Sequence, residues 1–154
     1  MNVITAKNPK DIKKLIPVIL EWKRTCNGKA MNINLDVETY CADLMNLIIK
    51  DDSELFILED DNDKPIGYMG VECFNNPIGE GKMANEHYWF ISEKSSGRGA
   101  MLLMAAVKLW ARHKNCRHLL MSASTLASDM HDKVCKFYER IGMIKFETTF
   151  IQEI

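Results

Sequence analysis

The chain lacks an excess of charge of either sign and lacks any long apolar run, and each absence removes a class of protein. Lys and Arg number 20 against 21 Asp and Glu, and the net charge of −1 gives no basic footprint for general nucleic-acid binding. The longest apolar run, residues 100–107, is far shorter than the ~20 residues that span a bilayer. Residues 1–14 contain no apolar segment of signal-peptide length. We therefore expect no membrane association.

Cysteine is present without the pattern of a disulfide framework. The five cysteines are odd in number and widely spaced: Cys26, Cys41, Cys73, Cys116 and Cys135. This spacing favours reduced thiols in a cytoplasmic protein. A composition of 47% hydrophobic and 27% charged residues over 154 positions is that of an ordinary folded chain. It predicts a single domain over residues 1–154.

The hydrophobic spacing predicts the order β α α β β β α β α β, a mixed α/β fold with four helices. The strands are predicted at residues 3–6, 55–58, 66–74, 83–91, 119–123 and 144–150. The first helix is predicted to begin at Pro9 after an Asn8 cap, and the second to follow Asp36. The other two are predicted at residues 100–113 and 130–141. Pro17 is expected to kink or split the first helix, because it has no backbone N–H.

The most informative segment is the turn between the strand at 83–91 and the helix at 100–113. Gly97 and Gly99 allow a tight turn and let the backbone approach a ligand with no Cβ in the way. Unpaired N–H groups at the start of the helix then form a positive pocket that suits phosphates. Arg98 or Lys94 would add charge. An ordinary strand-to-helix turn that uses glycine for its geometry is the alternative.

Two segments in this order resemble the GCN5-related N-acetyltransferase (GNAT) family over nearly the whole chain. The family's Gln/Arg-x-x-Gly-x-Gly/Ala loop follows a strand that ends in Val or Ile, which is Ile91 here. The loop corresponds to Ser96-Gly97-Arg98-Gly99-Ala100-Met101, and a later Tyr-x-x-x-Gly corresponds to Tyr138 and Gly142. The leading Arg or Gln is replaced by Lys94, Ser95 or Ser96, depending on the register. The usual Pro before the loop is Glu93.

The resemblance implies a mixed, mostly antiparallel sheet of six to seven strands flanked by four helices. It also implies an acetyl-CoA-dependent N-acetyltransferase that acts by direct transfer to a primary amine in a ternary complex. The main chain of Phe90 and Ile91 would bind the pantetheine amides by strand addition. The cofactor-binding set implied by the family is Phe90, Ile91, Ser96, Gly97, Arg98, Gly99, Ala100, Met101 and His131, the last of which stands where many members have Asn.

Tyr138 is the candidate general acid, since a phenol of pKa ~10 stays protonated at neutral pH and can protonate a departing thiolate. An amphipathic helix Tyr that packs its ring and wets its hydroxyl is the alternative. Glu86 and His87 are candidate bases for the amine proton, and only one of two adjacent residues on a regular strand can face a cleft. Glu72 is a third candidate, and water could relay the proton.

No metal site is predicted. The segment Asp61-Asn62-Asp63 resembles a calcium loop, but Pro65 and Ile66 stand where a ligand and the obligatory Gly should be. A non-catalytic acyl-CoA-binding or regulatory module and a fold-only interaction protein remain alternatives to the enzyme. The acceptor amine, small molecule or protein, is not readable from the sequence. The alternating residues 144–150 suggest pairing across a homodimer.

Overall fold

Five strands and four helices form in the part of the chain that the structure describes. The computed structural model describes residues 1–28, 32–93, 95, 97–127 and 129–152. The strands are β1 (Asn2–Thr5), β2 (Ser53–Glu59), β3 (Pro65–Asn75), β4 (Lys82–Ile91) and β5 (Cys116–Leu120). The helices are α1 (Pro9–Thr25), α2 (Val37–Ile49), α3 (Gly97–His113) and α4 (His131–Arg140). The mixed α/β class and the four helices are confirmed.

Helix α1 begins at a capping box and passes through a proline. The Asn8 side chain accepts the Lys10 N–H at 2.9 Å, and the Asp11 carboxylate accepts the Asn8 N–H at 3.1 Å. The helix continues through Pro17 as far as Thr25, so the predicted split is not formed. Pro17 removes one intrahelical hydrogen bond. Burial of the apolar face offsets that loss through Ile12, Leu15, Val18 and Ile19.

The described strands form one sheet in the order β1–β2–β3–β4–β5. The pairs from β1 to β4 are antiparallel, and β5 runs parallel to β4. The β2–β3 turn contains Asp63 at φ 57°, and the β3–β4 turn contains Gly81 at φ 87°. Helix α3 supplies the crossover that a parallel pair requires. The sheet is therefore mixed and mostly antiparallel.

An apolar core lies on each face of the sheet. On one face, α1 and α2 bring Leu15 and Leu44 against Ile57. On the other, α3 brings Leu103 against Met69. Full burial of each such side chain contributes about 1.5–3 kcal/mol. These two layers hold the central strands β3 and β4 from both sides, and β4 carries most of the candidate site.

The predicted count of six to seven strands is not reproduced. Among the described residues there are five strands, and the predicted strand at residues 144–150 is not formed. Ile144 and Phe150 are each 89% exposed. Alternation of apolar residues marks a segment that can pair as a strand, but a strand also requires a hydrogen-bonding neighbour. No described segment pairs with the outer edge of β5, the neighbour that this tail would need.

Candidate active site

A cleft opens where β4 and β5 part. Their pairing ends at Asn85 and Leu120, and beyond Asn85 no described residue of β5 pairs with β4, which continues to Ile91. On its other side β4 stays paired with β3, but the register shifts so that Gly70 faces Tyr88 and Val71 faces Glu86. His87 is therefore the extra residue of a bulge. The main chain of β4 after Asn85 has one edge free of β5 and available to a ligand.

Glu86 places a buried carboxylate at the start of this cleft. The residue is 8% exposed, and its Oε2 accepts the Ser122 N–H at 3.1 Å. Burial raises the pKa of Glu86 from 4.5 to about 7, and the hydrogen bond from Ser122 opposes that rise. Because a general base works best when its pKa lies near the working pH, Glu86 is suited to accept a proton at neutral pH.

Tyr138 reaches the same point of the chain from α4. Its hydroxyl donates to the Ser122 carbonyl oxygen at 2.9 Å, and its ring centroid lies 5.7 Å from that of Trp89. Burial raises the pKa of Tyr138 well above its ordinary value, and the charges of Glu86 and Cys135 add to the rise. The phenol is therefore protonated at neutral pH. The backbone of Ser122 thus joins a buried carboxylate on one side to a buried phenol on the other.

His87 points to a different place. Its Nε2 lies 3.2 Å from Oε2 of Glu72, whose Oε1 lies 3.3 Å from Nζ of Lys50. These residues line a cavity of about 240 Å³ that also contacts Asp43 and Tyr88. Two of the three candidate bases, His87 and Glu72, are therefore in contact with each other. The structure brings Glu86 together with Tyr138 and leaves His87 outside that group.

The glycine segment is the first turn of α3 rather than a loop before it. The helix begins at Gly97, three residues before the predicted start, so Gly97, Arg98 and Gly99 carry N–H groups that lack intrahelical partners. A Cβ on Gly97 would meet no atom within 4 Å, whereas one on Gly99 would lie 2.7 Å from Leu58 Cδ2. Gly97 thus leaves its backbone open to a ligand, and Gly99 lets α3 pack closely on β2. Ala100 continues this turn.

The remaining predicted cofactor residues are placed as follows. Phe90 pairs with Tyr68 of β3 and Ile91 with Gly67, which leaves the opposite edge of β4 free of described strand pairing. Met101 is 49% exposed on the second turn of α3. His131 is the first residue of α4, with Nδ1 3.0 Å from Oδ1 of Asp132. Lys94 and Ser96 lie outside the described residues.

Ser122 completes the cleft, and sequence reasoning assigned it no such role. The strand was predicted at residues 119–123, which would have placed Ser122 inside the sheet. In the structure β5 ends at Leu120, so the Ser122 backbone is free to bind Glu86 and Tyr138. The indole Nε1 of Trp89 is buried and has no hydrogen-bond partner among the described residues. The indole Nε1 of Trp110 has the same environment, so an unsatisfied indole is not specific to the cleft.

Comparison with known proteins places these features in one family. The sequence profile of the Acetyltransferase (GNAT) family matches residues 17–143. No curated protein sequence matches the chain significantly.

Within the described residues, no helix has the length and apolarity needed to cross a membrane, and no three His, Cys, Asp or Glu side chains are grouped as metal ligands.

Solved structures share the fold at low sequence identity. A probable acetyltransferase superposes with a TM-score of 0.74 at 16% identity, covering 100% of this chain and 98% of the other. Ribosomal-protein-alanine N-acetyltransferase from Brucella melitensis biovar Abortus 2308 gives a TM-score of 0.73 at 12% identity, with 100% of both chains covered. Aminoglycoside N-acetyltransferase AAC(6')-Iy, in complex with CoA, gives 0.76 at 16% identity, covering 99% and 93%.

Proposed function

We propose that this chain, which belongs to the acetyltransferase (GNAT) family, transfers an acetyl group from acetyl-CoA directly to a primary amine in a ternary complex. The observation that carries the proposal is the pairing of Glu86 and Tyr138 on the backbone of Ser122 at the mouth of the β4–β5 cleft. One group is suited to accept a proton and the other to donate one. In this proposal residues 1–154 form a single N-acetyltransferase domain.

The first turn of α3 and the free edge of β4 fit the CoA part of acetyl-CoA. The helix presents N–H groups at its positive end, and Gly97 leaves the approach to them open. Arg98 is exposed beside them and adds a charge that suits a diphosphate. The main chain of Phe90 and Ile91 would pair with the pantetheine amides, as an added strand does. Acetyl-CoA supplies the acetyl group as a thioester.

The side chains of the cleft divide the proton transfers between them. Glu86 would take a proton from the acceptor ammonium, since burial brings its pKa close to neutrality. Tyr138 would give its hydroxyl proton to the departing sulfur, because its raised pKa keeps it protonated until then. His87, which contacts Glu72, would act on the acceptor side only through water.

A primary amine as acceptor is supported by the similar structures. Two of them act, by their names, on an aminoglycoside and on the alanine of a ribosomal protein. Both acceptors are amines, although the molecules differ in size. The five cysteines are free thiols, which supports the prediction of a cytoplasmic enzyme.

We also propose a homodimer in which the apolar tail is covered. Four large side chains between residues 144 and 151 are more than 60% exposed, namely Ile144, Phe146, Phe150 and Ile151. Pairing of this tail with a second copy would bury them and supply the neighbour that the outer edge of β5 lacks among the described residues. Light scattering during gel filtration should give twice the 17.7 kDa chain mass, and a monomer would contradict the proposal.

The test of the function separates binding from turnover. Calorimetric titration with acetyl-CoA should show saturable binding, and a screen of amines should then release free CoA thiol in proportion to acetylated product. Binding without thiol release from any amine would favour the non-catalytic acyl-CoA-binding module. No binding at all would refute both, leaving a protein that uses only the fold.

A further inference from the structure

A cysteine, a histidine and an aspartate lie in contact on the first two turns of α4. The Cys135 Sγ is 3.7 Å from Nε2 of His131, and Nδ1 of the same imidazole is 3.0 Å from Oδ1 of Asp132. The imidazole thus faces the thiol with one nitrogen and a carboxylate with the other. In a reactive cysteine, an imidazole accepts the thiol proton and a third group orients the imidazole. The sequence did not reveal this set, because no spacing rule singles it out.

The set stands beside the proposed acyl-transfer site. Cys135 precedes Tyr138 by three residues, so both side chains lie on the same side of α4. The two side chains are also close enough for a charge on Cys135 to contribute to the raised pKa of Tyr138. Cys135 is partly exposed.

The other cysteines have different surroundings. The Cys26 thiol faces the carbonyl oxygen of Lys23 at 3.5 Å, and the Sγ atoms of Cys73 and Cys116 face each other at 2.8 Å. Cys41 packs against the core formed by α1 and α2. Among the described residues, Cys135 is the cysteine whose thiol is in contact with an imidazole.

We propose that Cys135 is a second acetyl acceptor of the site, which takes the acetyl group from acetyl-CoA when no amine is present. The Cys135 thiol proton passes to Nε2 of His131, and the sulfur electron pair attacks the thioester carbonyl carbon. The bond from that carbon to the CoA sulfur breaks, and the imidazolium returns its proton to the CoA thiolate. The products are S-acetyl-Cys135 and free CoA. Since one thioester is broken and another is formed, the exchange needs no further reactant.

This inference rests on the proposed function, because the thioester must first bind in the cleft. The test therefore starts with acetyl-CoA alone, in a buffer reduced with a phosphine rather than a thiol. Intact-mass spectrometry should show the gain of one acetyl group that neutral hydroxylamine removes. Cys135→Ser should abolish the gain, and the matched variant Cys26→Ser should retain it.

A second measurement probes the dyad without acetyl-CoA. Iodoacetamide should alkylate Cys135 fastest of the five cysteines, and His131→Gln should slow that reaction by about tenfold or more, since the imidazole no longer accepts the proton. The pH profile of alkylation should change in the variant, which a purely structural role would not produce.

The outcomes distinguish the two hypotheses. Calorimetric binding of acetyl-CoA with no acetyl group on Cys135 overturns this inference and leaves the amine acetyltransferase intact. Absence of acetyl-CoA binding overturns both. Equal acetylation of Cys26 and Cys135 shows unassisted chemical acetylation and also overturns the inference. If His131→Gln leaves the alkylation rate of Cys135 unchanged, the proposed role of the His131 imidazole in activating the thiol is overturned.

Discussion

Replacing Glu86 by Gln isolates the effect of a buried charge in the cleft. The amide retains the shape of the side chain and an oxygen that can accept the Ser122 N–H, but it does not ionise. Burial raises the pKa of Glu86 from 4.5 to about 7, so the folded protein holds a proton that the unfolded chain releases. The variant therefore removes the free-energy cost of ionising the buried carboxylate and leaves the packing in place.

The sign and size of the effect follow from these two pKa values. A folded-state pKa above the unfolded value costs no stability below pH 4.5, and the cost grows as pH rises through about 7. Each pH unit between the two values is worth about 1.36 kcal/mol. We therefore expect the free energy of unfolding of Glu86→Gln to exceed that of the parent protein by about 3 kcal/mol at pH 8 and about 1 kcal/mol at pH 5.

Urea denaturation followed by tryptophan fluorescence at the two pH values measures this difference. Glu72→Gln is the matched control, because Glu72 is partly exposed and pairs with His87 and Lys50, so its replacement should not stabilise the protein at pH 8. The Glu86→Gln variant should also lose about 10²- to 10⁴-fold in kcat/KM. In the parent protein, kcat/KM should rise with pH up to about pH 7, where Glu86 ionises. An equal gain in stability at both pH values, or none at pH 8, refutes the argument from burial.

Three further results are expected. Gly99→Ala should lower the free energy of unfolding by about 1–3 kcal/mol, because the added Cβ would lie 2.7 Å from Leu58 Cδ2. In the same urea assay Gly97→Ala should leave the free energy of unfolding nearly unchanged, because its Cβ would meet no atom within 4 Å. Tyr138→Phe should lower kcat by about 10²-fold or more if the phenol is the acid. The control variant Tyr88→Phe should leave kcat unchanged, because the Tyr88 hydroxyl lies 3.4 Å from a carboxylate outside the cleft. Burial raises the pKa of Cys116 to about 12. Its alkylation should therefore be slow at pH 7.5, and the alkylation rate, followed by peptide mass spectrometry, should still increase above pH 10.

Much of the fold was predictable because local signals agreed with the final packing. The Asn8 cap and the Asp36 cap are short-range features, and each appears where the sequence placed it. Helix α4 was predicted to within one residue at each end from its apolar spacing and Gly142. Such features depend on residues within about one turn of one another, so they need no knowledge of the tertiary structure.

The parts that were mispredicted depend on long-range pairing. Strand β5 lies three residues before its predicted position, because its pairing with Lys82 to Asn85 of β4 fixes the register. Apolar spacing alone does not contain that information. The tail at residues 144–150 has strand-like alternation, yet in the described structure it has no neighbour with which to pair. Pro17 remains inside α1 because the helix packs on the sheet around it.

The candidate site shows the same division between local and long-range information. Glu86 and Tyr138 could be named from the sequence, since their residue types suit proton transfer and Tyr138 precedes Gly142 at the family spacing. Their common partner could not be named, because Ser122 acts through its backbone N–H and C=O, which every residue except proline possesses. Likewise the choice of Glu86 over His87 depends on the bulge opposite Gly70 and Val71.

The cleft exists because β4 is longer than its parallel partner. Six residues of β4, from Glu86 to Ile91, continue after the last described pairing with β5, and an open strand edge buried in a protein leaves N–H and C=O groups to be satisfied. Extension of β5 along that edge would pair these N–H and C=O groups and stabilise the sheet. Here β5 ends at Leu120, and the chain turns away so that the Ser122 backbone meets Glu86 and Tyr138 instead. The geometry thus leaves sheet hydrogen bonds unmade where a ligand with amides could replace them, beside Glu86 and Tyr138.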